Sequence, residues 1–206
     1  MKAPEKSTSK GAVRAYHHGD LAAALIDEGV RAIEESGLEA LSLRAVARQT
    51  EVSAAAVYRH FADKDALLAA IAGRGFTEIN RAFEAALEGA KRRNALGRLR
   101  ALGQTYIAFA LTHPGLYRLM FGAARPGFGR HDALESEAAK AWQILGETVA
   151  AAFPAQSTAR AIKAATVAAW SLVHGYAVLR LEGQLPPEDM PDADSVLANL
   201  VPREPD

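Results

Sequence analysis

Residues 41–61 read Leu41-Ser42-Leu43-Arg44-Ala45-Val46-Ala47-Arg48-Gln49-Thr50-Glu51-Val52-Ser53-Ala54-Ala55-Ala56-Val57-Tyr58-Arg59-His60-Phe61. Two serines stand where helices can begin, because a serine oxygen ahead of a helical segment accepts one of its free backbone N–H groups. Ser42 caps a short helix running to about Thr50, and Ser53 caps a second from Ala54 to about His60. Leu43, Val46, Ala47, Val57 and Phe61 take the inward positions. A bulky side chain at Ala47 would hold the two helices apart. Helices this short bury little alone and need a third to pack against. The spacing is that of a helix-turn-helix, whose second helix lies in the major groove with its N-terminal residues at base edges. Three-helix domains that never touch DNA share this pattern, so spacing by itself leaves both readings open.

Working outward, Asp20 to Ser36 forms the supporting helix. Leu21, Leu25, Ile26, Val30 and Ile33 lie on one face, and Gly37 follows as a helix stop. Asp63 caps a long helix continuing to about Glu88, with Leu67, Leu68, Ile71, Ile79, Phe83 and Leu87 as its apolar stripe. Further helical patterns cover about Ala95–Thr112, Ala133–Phe153, Thr158–Leu181 and Asp194–Leu200, with a short segment from Leu116 to Phe121. Turn residues at His113-Pro114-Gly115, 122–129, Pro154 and Pro186-Pro187 separate them. No segment alternates with the period of a strand, and there is no internal repeat. The expected fold is all-α with about nine helices.

The wording of the first segment is more specific than its spacing. Residues 16–71 resemble the N-terminal domain of the TetR family of regulators. The resemblance is carried by Tyr16-His17-His18-Gly19-Asp20, Leu41-Ser42-Leu43-Arg44-Ala45-Val46-Ala47, Val52-Ser53, Val57-Tyr58-Arg59-His60-Phe61 and Asp63-Lys64-Asp65-Ala66-Leu67-Leu68. It implies a three-helix DNA-binding domain joined to a larger helical bundle for ligand binding and dimerisation. On that basis residues 1–19 are a basic flexible arm, 20–64 the helix-turn-helix domain, and 65–206 the effector-binding and dimerisation domain.

The resemblance also implies contacts. Ser42 matches a phosphate-contacting hydroxyl, Tyr58 and His60 match positions that touch the DNA backbone, and Lys64 matches a phosphate-contacting lysine. Arg44 and Arg59 are placed to reach phosphates or base edges. Ser53, Ala54, Ala55 and Ala56 would face the bases, where alanine offers only apolar contact, for example to a thymine methyl. Direct readout is therefore expected to be thin, with Arg44, Arg59 and DNA shape carrying more of the specificity. One residue departs from the family. Glu51 occupies a turn position usually held by glycine, and a side chain there costs about 1 kcal/mol if the backbone keeps its positive φ. It also brings a negative charge toward DNA.

In the second half, His113-Pro114-Gly115-Leu116-Tyr117-Arg118-Leu119-Met120-Phe121 and Trp170-Ser171-Leu172-Val173-His174-Gly175 resemble a TetR subgroup with a Trp and His-Gly regulatory domain. This implies that the last two long helices help to pair subunits into a homodimer. Trp170 and His174 are four apart, so they share a helix face. Tyr106, Phe109, His113, Tyr117, Met120, Phe121 and Trp142 can join them around an apolar cavity with a few polar groups, the composition of a small-molecule site. Each of these residues could equally fill the core. An apolar or aromatic effector is expected here, releasing a repressor from operator DNA by changing the separation of its recognition helices.

Composition narrows the alternatives. The 206 residues carry no cysteine, and half are hydrophobic. That excludes disulfides, thiolate metal sites and a cysteine nucleophile, and it suits a reducing cytoplasm. Lys2, Lys6, Lys10 and Arg14 against Glu5 give the arm a net charge of +3, though the whole chain is neutral. The arm reads either as a phosphate-binding extension or as a solubilising tail. The polar start, MKAPEKSTSK, has no signal-peptide character. The run from Ala164 to Leu179 is shorter than the roughly 20 residues of a membrane span, so it is expected to be a buried central helix. There is no Gly-rich phosphate loop, HExxH or Gly-x-Ser-x-Gly, so neither an enzyme nor a cofactor is expected. His17-His18 looks like half a metal site but lacks partners nearby, and His113, His131 and His174 could meet in space, yet no metal is expected. The competing function is a helical module that binds a ligand or protein without DNA.

Overall fold

The computed structural model describes residues 18–127, 130–185 and 193–198. The basic arm up to residue 17, the Pro186-Pro187 break and the tail after residue 198 lie outside them. Among the described residues the chain is all-α, with nine helices and no strand. They are α1 (His18–Ser36), α2 (Leu43–Gln49), α3 (Ala54–Tyr58), α4 (Lys64–Gly89), α5 (Ala95–Thr112), α6 (Pro114–Phe121), α7 (Asp132–Ala150), α8 (Ala159–Leu181) and α9 (Ala193–Leu197).

Local chemistry sets these boundaries. Ser42, Ser53, Asp63, Asn94 and Thr158 each accept a backbone N–H three residues on, capping α2, α3, α4, α5 and α8. Such caps are worth about 1 kcal/mol each. Helix α1 stops at Gly37, whose φ of 76° is open to glycine at little cost. A single 3₁₀ turn, Leu38–Ala40, then leads to Leu41.

Several boundaries differ from the sequence reading. Helix α1 begins at His18, two residues early. Helix α3 ends at Tyr58 rather than His60, and residues 59–60 form a turn that carries Phe61 into the core. Helix α7 ends at Ala150, and Phe153 belongs to the following turn, with its N–H donating to Ala150 O at 3.1 Å.

Helix α4 is the axis of the molecule. It packs against α1, α5, α6 and α7, while α8 covers α5 and α7 and α9 lies on α5. One continuous core runs from Leu21 in α1 to Leu197 in α9. Small residues let the helices approach. A Cβ at Gly75 would meet Met120 Sδ and one at Gly103 would meet Leu197 Cδ2, at 2.4 and 2.6 Å. Buried Asn80 donates to Glu137 O at 2.9 Å and to its carboxylate at 3.0 Å, tying α4 to α7.

The expectation of a buried central helix at Ala164–Leu179 needs correction. Helix α8 is long and apolar enough by composition to cross a membrane. It buries Thr166, Ala169, Val173, Tyr176 and Ala177 against the bundle, while Val167, Val178 and Leu179 face outward. The apolar run is long because both faces of α8 are apolar, and only one is covered within the subunit.

Candidate functional site

The helix-turn-helix separates its residues cleanly. Leu43, Val46, Ala47, Val57 and Phe61 are all buried. Ser42, Arg44, Ser53, Ala54, Ala55, Tyr58, Arg59, His60 and Lys64 are all exposed, and only Ala56 turns partly toward the core. Tyr58 is 50% exposed, which is unusual for an aromatic side chain with apolar neighbours available. Ser42 Oγ accepts from Ala45 N at 3.1 Å, leaving its own hydroxyl proton free to donate outward. Asp63 Oδ1 accepts from Ala66 N at 2.8 Å, so α4 starts beside Lys64 with its own cap supplied. Arg48 is also exposed on α2. Sequence reading passed over it because no motif marks it.

The turn between α2 and α3 has the strained residue. Glu51 has φ 55°, the one positive value among non-glycine residues described. The glutamate thus keeps the backbone shape that glycine would adopt, instead of a different turn. Val52 N donates to Ala47 O at 3.0 Å and closes the corner.

The second feature is a half-open cavity of about 610 Å³ between α4, α5, α6, α7 and α8. Tyr106, Met120, Phe121, Trp142, Trp170 and His174 line it. Phe109, His113 and Tyr117, grouped with them in the sequence reading, do not. Phe109 and His113 pack on each other with ring centres 5.1 Å apart, and Tyr117 stands behind His174. The reason is register. The cavity runs along α5 from Leu99 to Tyr106, and Phe109 and the C-cap His113 lie past its end. Phe76, Ile79 and Phe83 of α4, Arg125, Glu135 and several alanines complete the wall. Ile79 and Phe83 were legible only as core, because a cavity wall and a core face have the same periodicity, and Phe76 was passed over.

Aromatic rings meet edge to face across the chamber: Phe76 with Phe121 at 5.4 Å and Trp142 with Trp170 at 6.0 Å. At one side Tyr106, Tyr117 and His174 form a hydrogen-bonded cluster, with Tyr106 Oη 2.8 Å and Tyr117 Oη 2.7 Å from His174 Nδ1. Burial pushes the Tyr106 phenol well above its ordinary value and the Tyr117 phenol up to about 12. Desolvation pushes His174 down, favouring a neutral ring. Arg125 and Glu135 form the one charged pair in the wall, 3.8 Å apart. The three histidines considered for a metal diverge. His131 pairs with Asp65 at 2.9 Å, His113 with Phe109 and His174 with the tyrosines.

Residues 99–203 match the family model described as "Tetracyclin repressor-like, C-terminal domain", and residues 25–71 match that for "Bacterial regulatory proteins, tetR family". The chain belongs to the TetR family. Its relatives include the HTH-type transcriptional regulator Rv1816 of Mycobacterium tuberculosis, 25% identical over 124 residues. That match covers 60% of this chain and 52% of the relative, so the chain spans about half the length of the mycobacterial protein. Among solved structures, a Rhodococcus sp. RHA1 protein of unknown function is 31% identical, with a TM-score of 0.74, covering 90% of this chain and 93% of that one. The Bacillus subtilis regulator FadR, solved with stearoyl-CoA, has a TM-score of 0.67 at 14% identity, over 87% of this chain and 97% of that one. At that identity the likeness is one of fold. Helix α4 follows α3 directly and runs from it to the cavity.

Proposed function

We propose that this TetR-family regulator binds operator DNA as a homodimer and is released by a small apolar or aromatic effector held in the α4–α8 cavity. The observation that carries this is the run of α4. One helix of 26 residues starts at exposed Lys64 and, farther along, turns Phe76, Ile79 and Phe83 to the cavity. A ligand that prefers one position of α4 thereby prefers one position of the helix-turn-helix. The DNA contacts we assign are Ser42, Arg44, Tyr58, Arg59, His60 and Lys64 to phosphates or base edges, with Ser53, Ala54 and Ala55 facing the bases. FadR was solved with stearoyl-CoA, and the acyl chain of that molecule is a precedent for an apolar ligand part in this fold.

Pairing through α8 is supported by its outer face. Ala164, Val167 and Val178 are exposed at helical spacing, and a Cβ at Gly175 would meet nothing within 4 Å. Small and apolar residues in that pattern suit close packing with a second copy. Two subunits would then place their α3 helices on half-sites about 34 Å apart, or a multiple of it. The reading needs no enzymatic step, cofactor or membrane, and it places the protein in the cytoplasm.

The test is titration of purified protein against DNA fragments from its own locus at two salt concentrations, beside a Tyr58→Ala/Lys64→Ala double variant. Site-selective binding that weakens steeply with salt and is lost in the variant is expected. Absence of site-selective binding by the wild type at low salt would favour the helical module that binds a ligand or protein without DNA.

A further inference from the structure

Proton counting in the His174 cluster determines what kind of group the cavity offers. Tyr106 Oη, Tyr117 Oη and His174 Nδ1 form a triangle with sides of 3.1, 2.8 and 2.7 Å. Trp170 Nε1–H donates to Tyr106 Oη at 3.3 Å. Both tyrosines are buried, and among the described residues their hydroxyls have no partners outside this group. With the tyrosines only 6% and 2% exposed, their hydroxyl protons find their acceptors within the triangle.

If Nδ1 carries no proton, the placement closes. Tyr117 donates to Nδ1, and Tyr106 donates to Tyr117 Oη. If Nδ1 carried a proton, three protons would share three sides, and one hydroxyl would have to point at an N–H that has no lone pair. A buried donor would be left unsatisfied, whether the ring were neutral or charged. The cluster thus holds the imidazole neutral with its proton on Nε2. The depressed proton affinity of the half-buried ring agrees with this.

Nε2–H has no hydrogen-bond partner among the described residues, and His174 lines the cavity. Arg125 and Glu135 oppose each other in the wall, so the chamber has no net charge to draw in an ion. We infer that the ligand is an uncharged, mainly apolar molecule presenting a hydrogen-bond acceptor, such as a carbonyl oxygen, to His174 Nε2–H. This rests on reading the cavity as a ligand site.

Three probes of one shape separate the possibilities: benzophenone, which has a carbonyl acceptor; diphenylmethane, which has none; and benzhydrylamine, which is cationic at neutral pH. Both tryptophans of the chain, Trp142 and Trp170, line the cavity, so their fluorescence reports binding there. Benzophenone is expected to bind roughly tenfold more tightly than diphenylmethane, the scale of one satisfied buried donor. The preference should vanish in His174→Phe and persist in His174→Gln, which keeps both an N–H donor and an acceptor for Tyr117. Equal binding of benzophenone and diphenylmethane would overturn the donor assignment and leave the cavity reading standing. Preference for benzhydrylamine would overturn it in favour of Glu135 as the recognition group. Binding of none of the three would remove the cavity reading and this inference together. NMR of the imidazole nitrogens in the wild type is an independent check: a proton found on Nδ1 would refute the cluster argument without any variant.

Discussion

Glu34, in the last turn of α1, holds the start of α6 through Leu116: its Oε1 accepts from Leu116 N at 2.8 Å, and its Oε2 accepts from Gly115 N at 2.9 Å. The carboxylate supplies the N-cap that α6 lacks, since His113 makes no side-chain cap bond there. It also joins the helix-turn-helix domain to the helix that carries Met120 and Phe121 into the cavity wall. Removing it as Glu34→Ala should cost about 1–2 kcal/mol, from lost N–H partners and a lost anion at a helix N-terminus. Urea denaturation measures this, and an unchanged midpoint would show the contact to be idle. Gly115→Ala should also destabilise, because a Cβ there would lie 2.7 Å from the Ile33 carbonyl oxygen.

Glu51 gives a test with the opposite sign. Its φ of 55° is cheap for glycine and strained for glutamate. Glu51→Gly should raise stability by about 0.5–1 kcal/mol. Removing a negative charge near the DNA face should also tighten operator binding. A loss of stability in thermal melts would show that the glutamate side chain has a compensating role.

Lys64 and Tyr58 separate charge from contact. Lys64→Ala should weaken binding to all sequences and lower the slope of log K against log salt by about 1. Tyr58→Phe should weaken binding without changing that slope, because a neutral hydroxyl displaces no counterion. Equal slopes for Lys64→Ala and wild type would take Lys64 off the phosphate backbone.

His174 makes stability depend on pH. Burial lowers its folded pKa below the ordinary 6.5. The unfolded chain therefore binds a proton first as the pH falls, and stability declines from about pH 6.5 downward until the folded value is passed. Above that range the group adds no penalty. Melting temperatures from about pH 7.5 to about pH 5 should drop less in His174→Gln than in the wild type, and parallel curves would contradict the linkage.

The outer face of α8 is tested by charge. Val167 is 45% exposed, so Val167→Asp should leave the subunit folded. Light scattering should show a shift to monomer, and operator affinity should fall roughly 100-fold as two-site engagement is lost. A dimer that survives the substitution would move the interface elsewhere.

By itself the sequence determined the caps and inward face of the helix-turn-helix segment almost to the residue. Ser42, Ser53 and Asp63 are local caps acting over three residues, and the inward set from Leu43 to Phe61 follows from helical period, so both are written in short stretches of chain. At Glu51 the family's usual glycine left two outcomes open, a strained positive φ or a different turn, and the structure takes the first. The cavity was different. Helical period told that Ile79 and Phe83 face inward, but not whether they meet another side chain or a hollow, since both present the same apolar stripe. Nor could it exclude Phe109 and His113, which depend on how far α5 slides past α8. The exposed face of α8 was misread for the same reason, because an apolar run reports what must be covered and not which neighbour covers it. The Tyr106–Tyr117–His174 triangle joins residues up to 68 positions apart. Only tertiary packing brings those atoms within hydrogen-bond reach, and only there does the count of protons acquire a meaning.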